Sequence, residues 1–151
     1  MKKVIFYLLE NQTEANESGV LFYEKLACQK IIEAWRANQR VQVACQDQGQ
    51  AERIDEYLWQ LETDNFVPHN LAGEGMKGGS PVEISWPQKR SSGTRQLLIN
   101  LQEQFPEFAG VYRDIIDFVP VDEQLKSLAR ERYKLYKEAG FNLKTISINC
   151  E

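Results

Sequence analysis

Apolar and polar residues follow two rhythms along this chain, and together they predict alternating strands and helices. Val4 to Leu9 is a continuous apolar run of strand length. Gly19 to Asn38 switches to helical spacing, with Leu21, Cys28, Ile32 and Trp35 on one face. Arg40 to Cys45, RVQVAC, alternates as a second strand, and Gln48 to Glu62 forms a second helix. A Pro/Gly-rich stretch at 63–81 reads as a long connection. Val82 to Trp86, Gln96 to Leu101 and Ile115 to Val119 are strand-like, and Phe105 to Tyr112 reads as a short helix. Val121 to Ala139 is the last helix. Asp122 and Glu123 suit its positive end, and Gly140 follows as the closing residue.

Strands joined by helical connections of this length imply right-handed parallel crossovers. The expected architecture is an α/β three-layer, Rossmann-like sandwich with a mainly parallel sheet. It is expected to form a single domain over residues 1–151, with no internal repeat and no linker.

Composition adds exclusions. The longest apolar runs fall well short of the ~20 residues that span a bilayer. Met1-Lys2-Lys3 leads straight into the first strand with no small-residue cleavage site, so no signal peptide and a cytoplasmic location are expected. Cys28, Cys45 and Cys150 form no C-x-x-C pair, which argues against a disulfide framework or a zinc site. The net charge of -4 disfavours general nucleic-acid affinity. The charge is uneven, however. Residues 124–137 carry Lys126, Arg130, Arg132, Lys134 and Lys137 against Glu131 alone.

GEGMKG at 73–78 matches the dinucleotide fingerprint in letters but not in context. The fingerprint joins a first strand to a first helix and aims that helix at the pyrophosphate. Here the glycines follow the second helix, and Pro81 opens a strand. No cofactor is expected. His69, the single histidine, would need a nucleophile and an orienting acid to serve as a base, and the sequence indicates neither. It is expected to be structural, bonded to the loop backbone. A nucleotide- or phosphate-ligand enzyme using His69 and the Gly-rich loop is the alternative.

Two features stand apart from the core pattern. Ile54, Tyr57, Leu58 and Leu61 share one face of the second helix, and Trp59 lies more than about 90° from its centre. A tryptophan there is covered either by the following loop or by a docked protein, with Phe66 extending the patch. On the last helix, Leu125, Leu128, Ala129, Leu135, Tyr136 and Ala139 form the expected buried face. Lys126, Arg130, Tyr133 and Lys137 fall within a sector of about 60° opposite, flanked by Lys134 and Glu123. Such a sector suits an acidic peptide, or alternatively the phosphates of single-stranded nucleic acid. Arg132 sits within the apolar face and must be paired if buried.

Residues 66–93, FVPHNLAGEGMKGGSPVEISWPQKRSSG, resemble the central signature of the chi subunit family of bacterial DNA polymerase III holoenzyme. Residues 117–143, DFVPVDEQLKSLARERYKLYKEAGFNL, resemble its C-terminal segment, and FYLLEN and VACQDQGQAERIDEYLW fit as well. The resemblance implies a non-catalytic clamp-loader accessory protein with a nucleotide-free Rossmann-like fold. It implies two partners: the psi subunit, and the acidic C-terminal tail of single-stranded-DNA-binding protein. DNA is then engaged only indirectly. It assigns the psi contact to Trp59, Phe66 and Pro68. It assigns the tail contact to Lys126, Arg130, Tyr133, Lys134 and Lys137, with Gly140 and Phe141 shaping the pocket. The family also offers a repair helicase as a second partner for the psi-side surface.

Overall fold

The computed structural model describes residues 2–9, 22–60, 68–72, 81–87 and 96–148. Seven strands form one sheet: β1 (Lys3–Leu9), β2 (Val41–Ala44), β3 (His69–Leu71), β4 (Val82–Ser85), β5 (Leu97–Asn100), β6 (Asp114–Val119) and β7 (Asn142–Ile148). Their order is β3-β4-β2-β5-β6-β1-β7, and every pairing is parallel. The helices are α1 (Phe22–Arg36), α2 (Gln48–Gln60) and α3 (Glu123–Glu138), with a 3₁₀ turn at Glu107–Val111. The expected α/β sandwich is therefore present. Two strands, β3 and β7, lie where none was predicted.

Side-chain alternation on β1 shows how the layers form. Tyr7 and Leu9 join a core on one face, made with Leu26, Cys28 and Ile31 of α1 and with Ile54 and Leu58 of α2. Val4 and Phe6 point to the other face and pack with Tyr136 of α3 and Ala109 of the 3₁₀ turn. Thus α1 and α2 cover one side of the sheet and α3 the other. On α1, Ile32 and Trp35 are only half-buried, whereas Glu24, Leu26, Ala27, Cys28, Ile31 and Ala34 are buried.

Helix ends follow local chemistry. Asn38, at φ 64, closes α1, with Gln39 N donating to Ala34 O at 2.9 Å. Asp47 opens α2 by accepting from Gln50 N at 2.8 Å. Asp122 caps α3 by accepting from Leu125 N at 3.0 Å. Gly140, at φ 93, ends α3 in a left-handed turn. There Phe141 N donates to Tyr136 O and Gly140 N to Lys137 O, both at 3.1 Å. The Tyr136 and Phe141 rings meet edge-on at 5.7 Å and supply the apolar contact of that motif.

Each face also buries a carboxylate. Glu24 of α1 accepts from Gln50 Nε2 and Arg53 Nη2, both at 2.9 Å, and so ties α1 to α2. Asp117 of β6 accepts from Arg132 and Tyr136 and so ties α3 to the sheet.

Cys28 and Cys45 are buried free thiols, and burial pushes both above their ordinary value. Burial, reinforced by Glu24, pushes the Tyr23 phenol up to about 12; burial and Asp117 push Tyr136 well up. All four groups keep their protons in the fold longer than in the unfolded chain. Their stabilisation is complete below the ordinary values of 9.0 and 10.0 and is lost as pH rises. Urea midpoints are expected to hold steady from about pH 6 to 8.5 and to fall above about pH 9. A flat profile to about pH 10.5 would contradict this assignment.

Candidate functional site

The last helix is held by one carboxylate. Arg132 donates from Nε to Asp117 Oδ2 and from Nη2 to Asp117 Oδ1, both at 3.0 Å. It also donates from Nη2 to Phe118 O at 3.0 Å and from Nη1 to Glu103 O at 2.8 Å. Tyr136 Oη donates to Asp117 Oδ2 at 2.9 Å, Asn100 Nδ2 to the same oxygen at 3.1 Å, and Phe118 N to Oδ1 at 2.7 Å. Burial opposes the Arg132 charge, but Asp117 prevails and holds the guanidinium above its ordinary value. The expectation that a buried Arg132 must be paired is met. Breaking such a pair from one side typically costs about 3–5 kcal/mol.

This anchoring alters the predicted helix face. Ala129, Arg132 and Tyr136 are the buried positions of α3. Leu125 and Leu128 are half-buried, whereas Leu135 is 41% exposed and Ala139 is exposed. The placement of Leu135 and Ala139 on the buried side is therefore corrected. The buried centre is turned on the order of 30° from the centre of the apolar stripe, at ~100° per residue. That turn forgoes part of the roughly 1.5–3 kcal/mol that full burial of a leucine supplies.

The same turn brings Tyr133 toward the sheet. Its ring lies 5.5 Å from that of Phe6, so it flanks the core and does not stand opposite it, yet it stays 39% exposed. Arg130, Lys134 and Lys137 are exposed, and Lys126 is half-buried with Nζ 3.7 Å from Glu123 Oε1. Gly140 is exposed and Phe141 is buried beneath the end of the helix. Lys2, which its place ahead of β1 does not link to this patch, sets Nζ 5.4 Å over the Phe141 ring and donates to Gly110 O at 2.7 Å. Asn142 N bonds Lys2 O at 2.9 Å, so this cation joins the patch through β7, whose pairing with β1 the sequence did not signal.

On the opposite face, Trp59 is 52% exposed on α2. Its ring lies 4.8 Å from that of His69, whose side chain is fully buried with Nε2 3.3 Å from Asp55 Oδ1. His69 therefore meets side chains of α2, at Asp55 and Trp59. That position braces Trp59. Pro68, half-buried, precedes His69 at the start of β3. Phe66 and the Gly73–Gly79 loop lie outside the described residues.

The carboxyl ends of β5 and β6 face side chains of α1 and α3. Tyr23, Asn100, Asp117 and Arg132 line a cavity of about 20 Å³ there, room for roughly one water. Among the described residues no three His, Cys, Asp or Glu side chains gather as a metal site, and no helix is long and apolar enough to cross a membrane.

Comparison with known proteins adds the following. The family described as DNA polymerase III chi subunit, HolC, matches residues 1–144. The chain is 53% identical to DNA polymerase III subunit chi of Escherichia coli K12, over 96% of this chain and 97% of that one. It is 44% identical to the subunit of that name from Haemophilus influenzae Rd, over 97% and 98%. The Pseudomonas aeruginosa PAO1 counterpart is 29% identical over 95% and 94%. Among solved structures, the crystal structure of T4 UvsW superposes with a TM-score of 0.66 at 11% identity, covering 97% of this chain and 41% of that one. That likeness is one of fold alone.

Because Trp59 is half in solvent, Trp59→Ala is expected to lower unfolding free energy by no more than about 1 kcal/mol, the scale of one aromatic contact. A loss of about 3 kcal/mol in urea denaturation, typical of a core aromatic, would contradict the exposed placement.

Proposed function

Since the chain belongs to the DNA polymerase III chi subunit family, we propose that it is a two-sided adaptor within the replicative polymerase. The family is one of accessory, non-catalytic replication subunits of that complex. On our reading, the Trp59 surface of α2, with Pro68 and Phe66, anchors the chain to the psi subunit. The basic side of α3 takes the acidic C-terminal tail of single-stranded-DNA-binding protein. This reading places the protein in the cytoplasm and links the clamp loader to coated single strands. A repair helicase would compete for the Trp59 surface.

The observation that carries the tail assignment is the row Arg130, Tyr133, Lys134 and Lys137 on one exposed side of α3. Tail carboxylates meet cations there, and Tyr133 over Phe6 offers an apolar contact for an end residue. Arg130 supplies a planar fork able to hold a carboxylate through two bonds. For the other surface, support comes from an exposed tryptophan braced by a buried ring, the residue type most enriched at binding hot spots.

Titration of a labelled tail peptide tests the first assignment. Arg130→Ala is expected to weaken binding by about 1.5–3 kcal/mol. Raising salt from 0.05 to 0.3 M, chosen to shorten the screening length below ~10 Å, is expected to weaken it further. Equal affinity of both proteins at low salt would place the tail site elsewhere. Equally tight binding of a bare oligonucleotide would favour direct DNA contact. For the second surface, Trp59→Ala is expected to weaken psi binding by at least ~2 kcal/mol and leave peptide binding intact.

A further inference from the structure

The buried Asp117–Arg132 pair does more than neutralise two charges. Apolar burial alone would rotate α3 so that Leu128 and Leu135 face the sheet. Instead Leu135 is left 41% exposed, and a guanidinium occupies the centre of the buried face. Arg132 and Tyr136 are four residues apart, one turn along the helix. Both end on the same carboxylate. Two directed anchors on one side of a helix fix its rotation, whereas apolar contact is non-directional. Asp117 is also the register partner of Phe6 on the neighbouring strand. A helix pinned to Asp117 by Arg132 and Tyr136 therefore carries the intervening Tyr133 to Phe6, with ring centroids 5.5 Å apart.

We propose that Asp117, Arg132 and Tyr136 are positioning residues for the tail-binding side of α3: they set the helix rotation that holds Tyr133 at Phe6 and turns Arg130 and Lys137 toward one ligand. This rests on the tail-binding reading above. All three are buried, and a conventional apolar face would leave the helix packed but turned.

Two variants retain a packed interface without the fork. Arg132→Lys keeps the charge but cannot make two parallel bonds. Asp117→Asn with Arg132→Met removes both charges together, so no single buried charge is left unpaired. Two readouts are made on each: nuclear Overhauser contacts between the Tyr133 and Phe6 rings, and tail-peptide affinity. Psi binding serves as the control for folding. The expected result is loss of the ring contacts and roughly tenfold weaker peptide binding, the effect of one misplaced charge-assisted contact, with psi binding unchanged. Tyr136→Phe, which deletes one hydrogen bond and keeps the ring, is expected to act in the same direction to a smaller degree. It decides the question if the other variants do not fold. Folded variants with intact ring contacts and wild-type affinity would overturn the proposal. If Arg130→Ala leaves affinity unchanged, the tail reading fails. The ring contacts then judge the positioning role by themselves.

Discussion

The carboxylate of Asp117 is the constraint on which the α3 side of the molecule depends. A buried charge survives only if its lone pairs are satisfied, and here five hydrogen bonds converge on two oxygens. Those donors come from β5, β6 and α3, so one group joins two strands to the helix above them. Satisfying it draws Arg132 into the centre of an otherwise apolar face, leaves Leu135 partly exposed and lays Tyr133 against Phe6.

The sheet order separates the two candidate surfaces twice over. Trp59 and β3 lie at one edge of the sheet, on the α1/α2 face. The basic side of α3 lies over β1 and β7 at the other edge, on the opposite face. One partner can therefore sit on each surface without contesting the other, which is the geometry an adaptor requires. Glu24, held by Gln50 and Arg53, gives α1 and α2 their own polar tie, so the two faces are braced by different carboxylates.

Much of this was legible in local patterns. Strand alternation, helical spacing and the Gly140 stop are set by near neighbours, and the three helices and five of the strands follow from them. Trp59 could be placed in solvent because the helical wheel needs only α2 itself. β3 escaped because three residues, His69 to Leu71, carry no readable period inside a Pro/Gly-rich stretch. β7 escaped because an edge strand buries its residues only in part, so its alternation is faint. The roles of His69 and Arg132 depend on Asp55 and Asp117, partners that only tertiary folding brings close. No spacing rule joins those pairs, so the brace beneath Trp59 and the true rotation of α3 could not be read in advance.

The central claim is that two docking surfaces act independently on opposite faces of one sheet. The most direct measurement is a shift-mapping experiment on the isotope-labelled chain titrated with the acidic tail peptide, free and again in its psi complex. The account predicts peptide-induced shifts confined to α3, the Gly140–Phe141 turn and adjoining β1 and β7 residues, with the Trp59 indole and the His69 ring unmoved and the same pattern in the complex. Shifts of the Trp59 indole on adding peptide, or loss of the α3 shifts once psi is bound, would contradict it.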